Sequence, residues 1–153
     1  MNEALLAPAD EREAAEIVAA AQAPLDILGA GTRSGFGRPP RAGCRLSTAR
    51  LSGVIFHEPA EMTARAKAGT PLAELEASLV RHGQMLPFEP MDPRVLFGTS
   101  GEPTIGGLVA TALAGPRRVS AGAVRDNLLG LKFINGRGEI ISAGGRVMKN
   151  VTA

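Results

Sequence analysis

The stretch LDILGAGTRSGFG, residues 25–37, decides the fold class, because it joins a short apolar run to a glycine-rich turn. The run 25–28 predicts a buried strand, and Gly29, Ala30 and Gly31 begin like the G-x-G-x-x-G fingerprint of dinucleotide-binding domains. That fingerprint continues into a helix, whereas the sixth position here is Ser34, and three glycines and two prolines follow within residues 35–43. We therefore predict a turn without a following helix, which binds any anion mainly through its own backbone N–H groups.

Upstream of this turn the sequence predicts an amphipathic helix. Asp10 and Glu13 have the spacing of a capping box, and Pro24 ends the helix. The apolar residues at helical spacing are Ala14, Ile17, Val18 and Ala21. The predicted order is thus helix, strand, loop, and not the strand-first order of a dinucleotide-binding βαβ unit.

Downstream of the turn, two strands and a second helix are predicted. Residues 53–57 form an apolar run, and residues 62–68 alternate between apolar and polar types, with Met62 on the side predicted to be buried. Thr70 and Pro71 have the residue types of an N-cap and a first helical position, and Gly83 that of a left-handed C-cap. The buried stripe of this helix is predicted to consist of Leu72, Leu75, Leu79 and Val80.

The second half of the chain begins with a long irregular stretch, residues 88–103, of a length that is usually functional or disordered. Residues 104–115 contain a short predicted helix, with Gly107, Ala110 or Thr111, and Ala114 on one face. These small side chains permit close contact with either a neighbouring strand or a ligand. Asn-Gly at 135–136 lies between two apolar runs and predicts a β-hairpin over residues 128–142. The chain is therefore predicted to be mixed α/β at first and antiparallel later.

The composition limits the class of protein. The chain has 153 residues, 44% of them hydrophobic, with 19 glycines and 11 prolines, which suits one compact ligand-binding domain. The absence of Trp and Tyr argues against nucleic-acid binding by base stacking. The lone Cys44 excludes an internal disulfide and favours a reducing compartment. Because neither a signal peptide nor a membrane-spanning stretch is found, we expect a cytoplasmic location.

Charge is unevenly distributed, although the formal net charge is only +2. Residues 29–50 contain five arginines and no acidic residue, a pattern that fits either a solvated basic loop or an anion-binding one. The arginines of this segment are Arg33, Arg38, Arg41, Arg45 and Arg50.

Several kinds of chemistry are excluded or left without support. His57, His82 and Cys44 are scattered and lack the spacing of a metal site, so structural roles are predicted for both histidines. Acidic residues in the long loop have no fixed separation and are predicted to be solvated; they are Glu89, Asp92 and Glu102. No nucleophile elbow, Walker loop or kinase signature occurs.

Four segments resemble the FAD-binding domains of the vanillyl-alcohol oxidase/p-cresol methylhydroxylase type. They are GAGT at 29–32, PTIGGLVATALAGPRR at 103–118, GAVRDNLLGLKFINGRGEII at 122–141 and GGRVMKN at 144–150. Within that type, GTPLAELEASLVRHGQMLPFEP at 69–90 and LAGPRR at 113–118 are most similar to the FAD-binding subunits of bacterial glycolate oxidases. The order and spacing of these segments extend the resemblance over almost the whole chain.

The resemblance implies a truncated α+β FAD-binding domain over residues 1–153, with FAD stretched between subdomain one, about 1–90, and the start of subdomain two, about 91–153. It implies a pyrophosphate loop of Gly29, Ala30, Gly31, Thr32, Arg33 and Ser34. It also implies a flavin-lining set of Thr104, Ile105, Gly106, Gly107, Thr111, Gly115, Pro116, Gly122 and Asp126. Arg117 and Arg118 are expected to favour negative charge on a reduced flavin or an acid substrate.

Two departures from the family pattern limit what the resemblance implies. Residues 112–115 read ALAG where the family has N-A-S-G or N-A-G-G, which excludes covalent flavin attachment there. After MKNV at 148–151 the family continues with closing strands and a substrate-covering domain. Catalytic residues are therefore expected outside this chain and none is assigned, so the chain alone is expected to be inactive.

The function implied is FAD-dependent oxidation of a small 2-hydroxy acid, by a subunit of a hetero-oligomeric oxidase. Contact with the inner face of the cell membrane is expected to be peripheral at most. Two alternatives stay open. One is a flavin reductase of the UDP-N-acetylmuramate dehydrogenase type, and the other is a non-catalytic anion-binding or assembly module.

Overall fold

A computed structural model of the chain describes residues 4–38 and 43–145. The first half is built on a parallel sheet of three strands in the order β1-β3-β2, with β1 at Ala4–Leu6, β2 at Leu25–Leu28 and β3 at Cys44–Ser47. Helix α1, Glu11–Ala20, connects β1 to β2. The carboxyl end of β2 leads directly into the glycine-rich turn, so the sheet fixes where that turn begins.

The predicted start of α1 is confirmed. The Asp10 carboxylate accepts the N–H of Glu13 at 2.8 Å, and the Glu13 carboxylate accepts the N–H of Ala9 at 2.6 Å. Each bond satisfies a backbone donor near the helix start. The helix ends at Ala20, so Ala21 lies just beyond it as the C-cap residue and does not extend the buried stripe.

Two strands were not predicted, and both change the predicted organisation. Strand β1 precedes α1, so the predicted helix-first order is wrong. Strand β3 lies inside the segment predicted to be a basic loop and occupies the centre of the sheet. Within it Leu46 and Ser47 are buried, and Arg45 Nε lies 3.4 Å from a carboxylate oxygen of Asp26 on β2. Part of the arginine-rich segment 29–50 therefore belongs to the sheet and is not a solvated loop.

The next unit is an antiparallel pair followed by a helix. Strand β4, Val54–Glu58, pairs with β5, Thr63–Ala66, and a 3₁₀ turn at Pro59–Glu61 joins them. Helix α2 spans Leu72–Val80. Gly83 follows it with φ +66, while Gln84 N–H donates to the Leu79 carbonyl at 3.1 Å. This is the left-handed helix end predicted for Gly83.

Three details of this unit differ from prediction. Thr70 does not cap α2, because its hydroxyl bonds to both backbone groups of Gly53, and Pro71 occupies the cap position. Val80 is 68% exposed and lies outside the buried stripe. On β5 the half-buried residues are Thr63 and Ala66, whereas Met62, predicted to be on the buried side, is 81% exposed. Register against β4 decides the buried face, and the alternation alone does not determine it.

Thr70 and Thr63 provide a matched test of this arrangement. Thr70 is fully buried, and its hydroxyl accepts the Gly53 N–H at 3.0 Å and donates to the Gly53 carbonyl at 3.1 Å. Thr70→Val should lower the free energy of unfolding by about 1–3 kcal/mol, because it leaves the Gly53 N–H unpaired and leaves the Gly53 carbonyl with only its bond from the Lys67 N–H. The buried Thr63 hydroxyl has no partner among the described residues, so Thr63→Val should cause no loss. Urea unfolding of both variants tests this, and equal losses would contradict it.

The second half packs a core against α2. Two short helices, α3 at Arg94–Phe97 and α4 at Ile105–Thr111, follow the turn after α2. Helix α5, Arg118–Ala121, and a 3₁₀ turn at Val124–Asn127 come next, and neither was predicted. Leu72, Phe88, Leu108 and Val124 form the buried cluster that joins these elements. The stretch 88–103, predicted to be irregular, thus contains one helical turn and one core residue.

The predicted hairpin is confirmed as β6, Gly130–Ile134, and β7, Ile140–Gly144. The Asn135 side-chain oxygen accepts the N–H groups of Arg137 and Glu139, and Gly138 takes the left-handed conformation at φ +78. Gly138 packs closely on Ala19 of α1, which places the hairpin against the first half of the chain. None of the helices in the two described ranges has both the length and the apolar character needed to cross a bilayer.

Candidate functional site

The glycine-rich turn forms one wall of the candidate site. Gly31 takes the left-handed conformation at φ +73, and the following backbone bonds run from Ser34 N–H to the Gly31 carbonyl and from Phe36 N–H to the Arg33 carbonyl. No helix follows within residues 29–38, as predicted, while Pro39, Pro40 and Arg41 lie outside the described residues. Within the described ranges, the N–H groups of Ala30, Gly31 and Thr32 donate to no protein acceptor. These donors can therefore bind an anion.

The segment 99–107 forms the opposite wall and touches the turn directly. The Thr99 hydroxyl donates to the Thr32 carbonyl at 3.5 Å. A Cβ on Gly101 would overlap the Ala30 carbonyl oxygen, and a Cβ on Gly29 would overlap the Thr104 hydroxyl. Gly101 is needed because the backbone of residue 30 approaches it too closely for a side chain, and Gly29 leaves room for the Thr104 side chain. The structure thus brings the predicted pyrophosphate loop together with the first residues of the predicted flavin-lining set.

Arg33 is the charged group of this site. Its Nη2 donates to the Met91 carbonyl at 3.4 Å, whereas its Nε and Nη1 are buried and have no partner in the described part of the chain. Burial lowers the pKa of the Arg33 guanidinium, and the nearby Asp92 carboxylate partly offsets this effect. Arg33 nevertheless stays protonated, because arginine is always charged in proteins. A partly buried guanidinium with two buried, unpartnered nitrogens is suited to an anionic group, because buried charged groups are otherwise paired.

Helix α4 begins beside this guanidinium. The Thr104 hydroxyl accepts the N–H of Gly107 at 3.3 Å, and the Thr111 hydroxyl donates to the Gly107 carbonyl at 2.8 Å. A Cβ on Gly107 would lie 3.5 Å from Arg33 Nη1, so this glycine faces the site. Gly106 instead donates its N–H to the Ala68 carbonyl at 2.7 Å and packs against that residue. Of these two glycines, Gly107 thus faces the site, whereas Gly106 packs against a neighbouring segment.

The remaining predicted residues form a separate group further along the chain. Gly115 donates its N–H to the Glu89 carbonyl at 2.6 Å, and Gly122 packs against Asp126 at φ +80. The Asp126 carboxylate accepts the N–H of Ala123 at 2.8 Å, so it supports its own turn. Pro116, Arg117, Arg118 and Asp126 are exposed, and Ile105 is half-buried against the core. Of GGRVMKN, only Gly144 and Gly145 lie within the described residues.

Sequence reasoning missed three contributors to the site. Thr99 and Gly101 contact the turn, and Arg94 binds both Asp92 and Glu102, which were predicted to be only solvated. The pairing of Arg94 could have been predicted from the sequence, because Arg94 is the single basic residue among the acidic residues of the 88–103 loop. The histidines have structural partners: His57 bonds to the side chains of Ser78 and Gln84.

Comparison with known protein families decides the identity of the domain. The family described as FAD binding domain matches residues 2–144. The chain belongs to this family. Membership confirms the predicted fold class and FAD as the cofactor. The glycine turn, the free N–H groups and the unpartnered Nε and Nη1 of Arg33 fit the diphosphate-bridged FAD, so the site and the family agree.

Relatives of this FAD-binding domain include a glycolate oxidase subunit and a D-lactate dehydrogenase. It is 44% identical over 128 residues to the glycolate oxidase subunit GlcE of Escherichia coli K12, covering 84% of this chain and 35% of that protein. It is 30% identical over 128 residues to D-lactate dehydrogenase of Archaeoglobus fulgidus, covering 83% and 27%. The chain thus spans about a quarter to a third of the length of these relatives. The predicted resemblance to bacterial glycolate oxidase subunits is confirmed.

The fold of the FAD-binding domain also occurs in solved structures. An alkyldihydroxyacetonephosphate synthase superposes with a TM-score of 0.72 at 20% sequence identity, over 96% of this chain and 27% of that one. At this level of identity the likeness concerns the fold alone.

Proposed function

We propose that this chain is the FAD-binding part of a flavin-dependent oxidase or dehydrogenase acting on small 2-hydroxy acids. The observation that carries the proposal is the buried Arg33 guanidinium beside the free N–H groups of residues 30–32. The names of the relatives, a glycolate oxidase subunit and a D-lactate dehydrogenase, support the substrate class. In this reaction class FAD supplies the acceptor for a hydride equivalent from the substrate's C2.

The contribution of this chain is to bind and orient the cofactor. Residues 29–34 would hold the pyrophosphate with backbone N–H groups and with Arg33. The flavin would be lined by Thr104, Gly106, Gly107 and Thr111, and then by Gly115, Pro116, Gly122 and Asp126. Arg117 and Arg118 would favour negative charge on a reduced flavin or an acid substrate. Subdomain one extends to about residue 90, and subdomain two begins at about residue 91. No residue of this chain is assigned a proton transfer, so the catalytic groups belong to other parts of the enzyme.

Assembly with other subunits completes the active enzyme in this proposal. The relative in Escherichia coli carries the word subunit in its name, which supports a hetero-oligomeric oxidase. Any membrane contact is peripheral and goes through those partners.

Spectral titration with FAD tests the cofactor assignment. Because the chain has no Trp and no Tyr, flavin absorbance and fluorescence dominate the spectra. We expect weak but saturable FAD binding at one site and no glycolate oxidation by the 153-residue chain alone. Failure to bind FAD would remove the proposal in favour of an anion-binding module, for which binding to a partner should depend steeply on salt.

The substrate class is tested in the assembled enzyme. Glycolate or D-lactate should bleach the flavin absorbance under anaerobic conditions. Bleaching by a nicotinamide donor and not by either acid would favour the reductase alternative. Tight FAD binding together with glycolate oxidation by the isolated chain would show that the catalytic groups are present here after all.

A further inference from the structure

Arg94 ties together the two ends of the loop that covers the candidate site. Its Nη2 and Nε contact the Asp92 carboxylate at 2.8 and 3.0 Å, and its Nη1 contacts a carboxylate oxygen of Glu102 at 3.0 Å. The loop between these two acids carries Thr99 and Gly101, which touch the glycine turn. Arg94 therefore holds together the two ends of this wall of the site.

Asp92 lies next to the residue that anchors Arg33. The Met91 carbonyl accepts a hydrogen bond from Arg33 Nη2 at 3.4 Å, and the charges of Arg33 and Asp92 influence each other. Hydrogen bonds from the Arg94 side chain hold the pKa of Asp92 below its usual range. Asp92 is thus an anion beside a buried cation that has two free nitrogens, yet it pairs with Arg94 instead.

We propose that Arg94 is a positioning residue that holds the Asp92 carboxylate away from Arg33, so that the Arg33 guanidinium stays free for the phosphates of the ligand. Asp92 is an internal competitor for that position, since a carboxylate and a phosphate oxygen accept the same guanidinium donors. Loss of the Arg94 side chain leaves the Asp92 carboxylate with only the backbone N–H of residue 94, at 3.0 Å, so that its second oxygen turns toward Arg33 and pairs with it. This inference rests on the proposed function, because it takes FAD as the ligand.

The test compares Arg94→Gln, Asp92→Asn and the double variant with the unchanged chain. Arg94→Gln should weaken FAD binding about five- to tenfold. The double variant should recover to within about twofold of the unchanged chain, because a neutral amide no longer competes for Arg33. Asp92→Asn alone should bind FAD as tightly as the unchanged chain or more tightly. A loss in Arg94→Gln that the second substitution does not repair would show a merely structural role and overturn the inference.

A second measurement tests the proposed role of Arg94 in the absence of FAD. The Arg33 Nε–H resonance, observed by ¹H–¹⁵N NMR, should shift in Arg94→Gln as Asp92 pairs with the guanidinium. The shift should disappear in the double variant. An unchanged resonance in Arg94→Gln would overturn the inference even where the chain binds FAD. Absence of FAD binding by the unchanged chain would instead count against the proposed function, while the resonance still decides the role of Arg94.

Discussion

Replacement of Arg33 by methionine should weaken FAD binding about 10- to 100-fold without lowering the unfolding temperature. The loss of affinity follows from removing the charged hydrogen-bond donors Nε and Nη1, since one bond to a charged group contributes about 1.5–3 kcal/mol. Stability should stay constant or rise, because a buried charge with two unsatisfied nitrogens is replaced by an unbranched apolar side chain. The one bond lost within the protein is the 3.4 Å contact with the Met91 carbonyl.

The two readouts together distinguish a ligand-binding arginine from a structural one. Arg38 lies in the same turn segment but is exposed, so Arg38→Met is the matched control and should change neither affinity nor stability measurably. FAD titration followed by flavin fluorescence gives the affinity, and thermal unfolding monitored by circular dichroism gives the stability. An Arg33→Met variant that loses stability but binds FAD normally would assign this guanidinium a structural role and contradict the proposed site.

The sequence predicted those parts of the fold that depend on short-range patterns. The capping residues of α1, the left-handed end of α2 at Gly83 and the hairpin of β6 and β7 each follow from neighbouring residue types. The glycine turn without a following helix was likewise predictable from residues 29–43, because so many glycines and prolines cannot continue a helix. The resemblance to a known family then supplied the positions of the candidate site residues.

What the sequence did not predict depends on contacts between distant segments. Strand β3 has only four residues and one strongly apolar buried side chain, and it becomes a strand because β1 and β2 pair with it on both sides. Thr70 has the residue type of a cap, yet its hydroxyl bonds across to Gly53. The burial of Arg33 Nε and Nη1 follows from contacts with residues 91 and 107, which no local sequence pattern records.

The largest loss of stability is expected for Gly69→Ala. A Cβ at this position would overlap the Thr48 carbonyl oxygen and lie 2.8 Å from its carbon, so the conflict is with backbone and not with a movable side chain. Hydrogen bonds prevent the backbones of Thr48 and Gly69 from moving apart. The Thr48 carbonyl accepts the Leu51 N–H at 2.9 Å, and Gly69 itself donates to the Leu51 carbonyl at 2.8 Å. We expect the free energy of unfolding to fall by about 3 kcal/mol, the upper part of the range for overpacked sites.

Gly136→Ala is the matched control, because nothing lies within 4 Å of its Cβ position and its φ is not positive. That variant should be as stable as the unchanged chain or slightly more so, since alanine restricts the unfolded state. Urea unfolding of both variants measures the difference, and equal midpoints would show that residues 48–51 and 69 are not packed as described. Thr48 N–H also donates to the Leu28 carbonyl at 2.8 Å, at the end of β2 where the glycine turn begins. Folded Gly69→Ala protein should therefore bind FAD more weakly as well, because the displaced 48–51 turn moves the strand end from which the phosphate-binding loop starts.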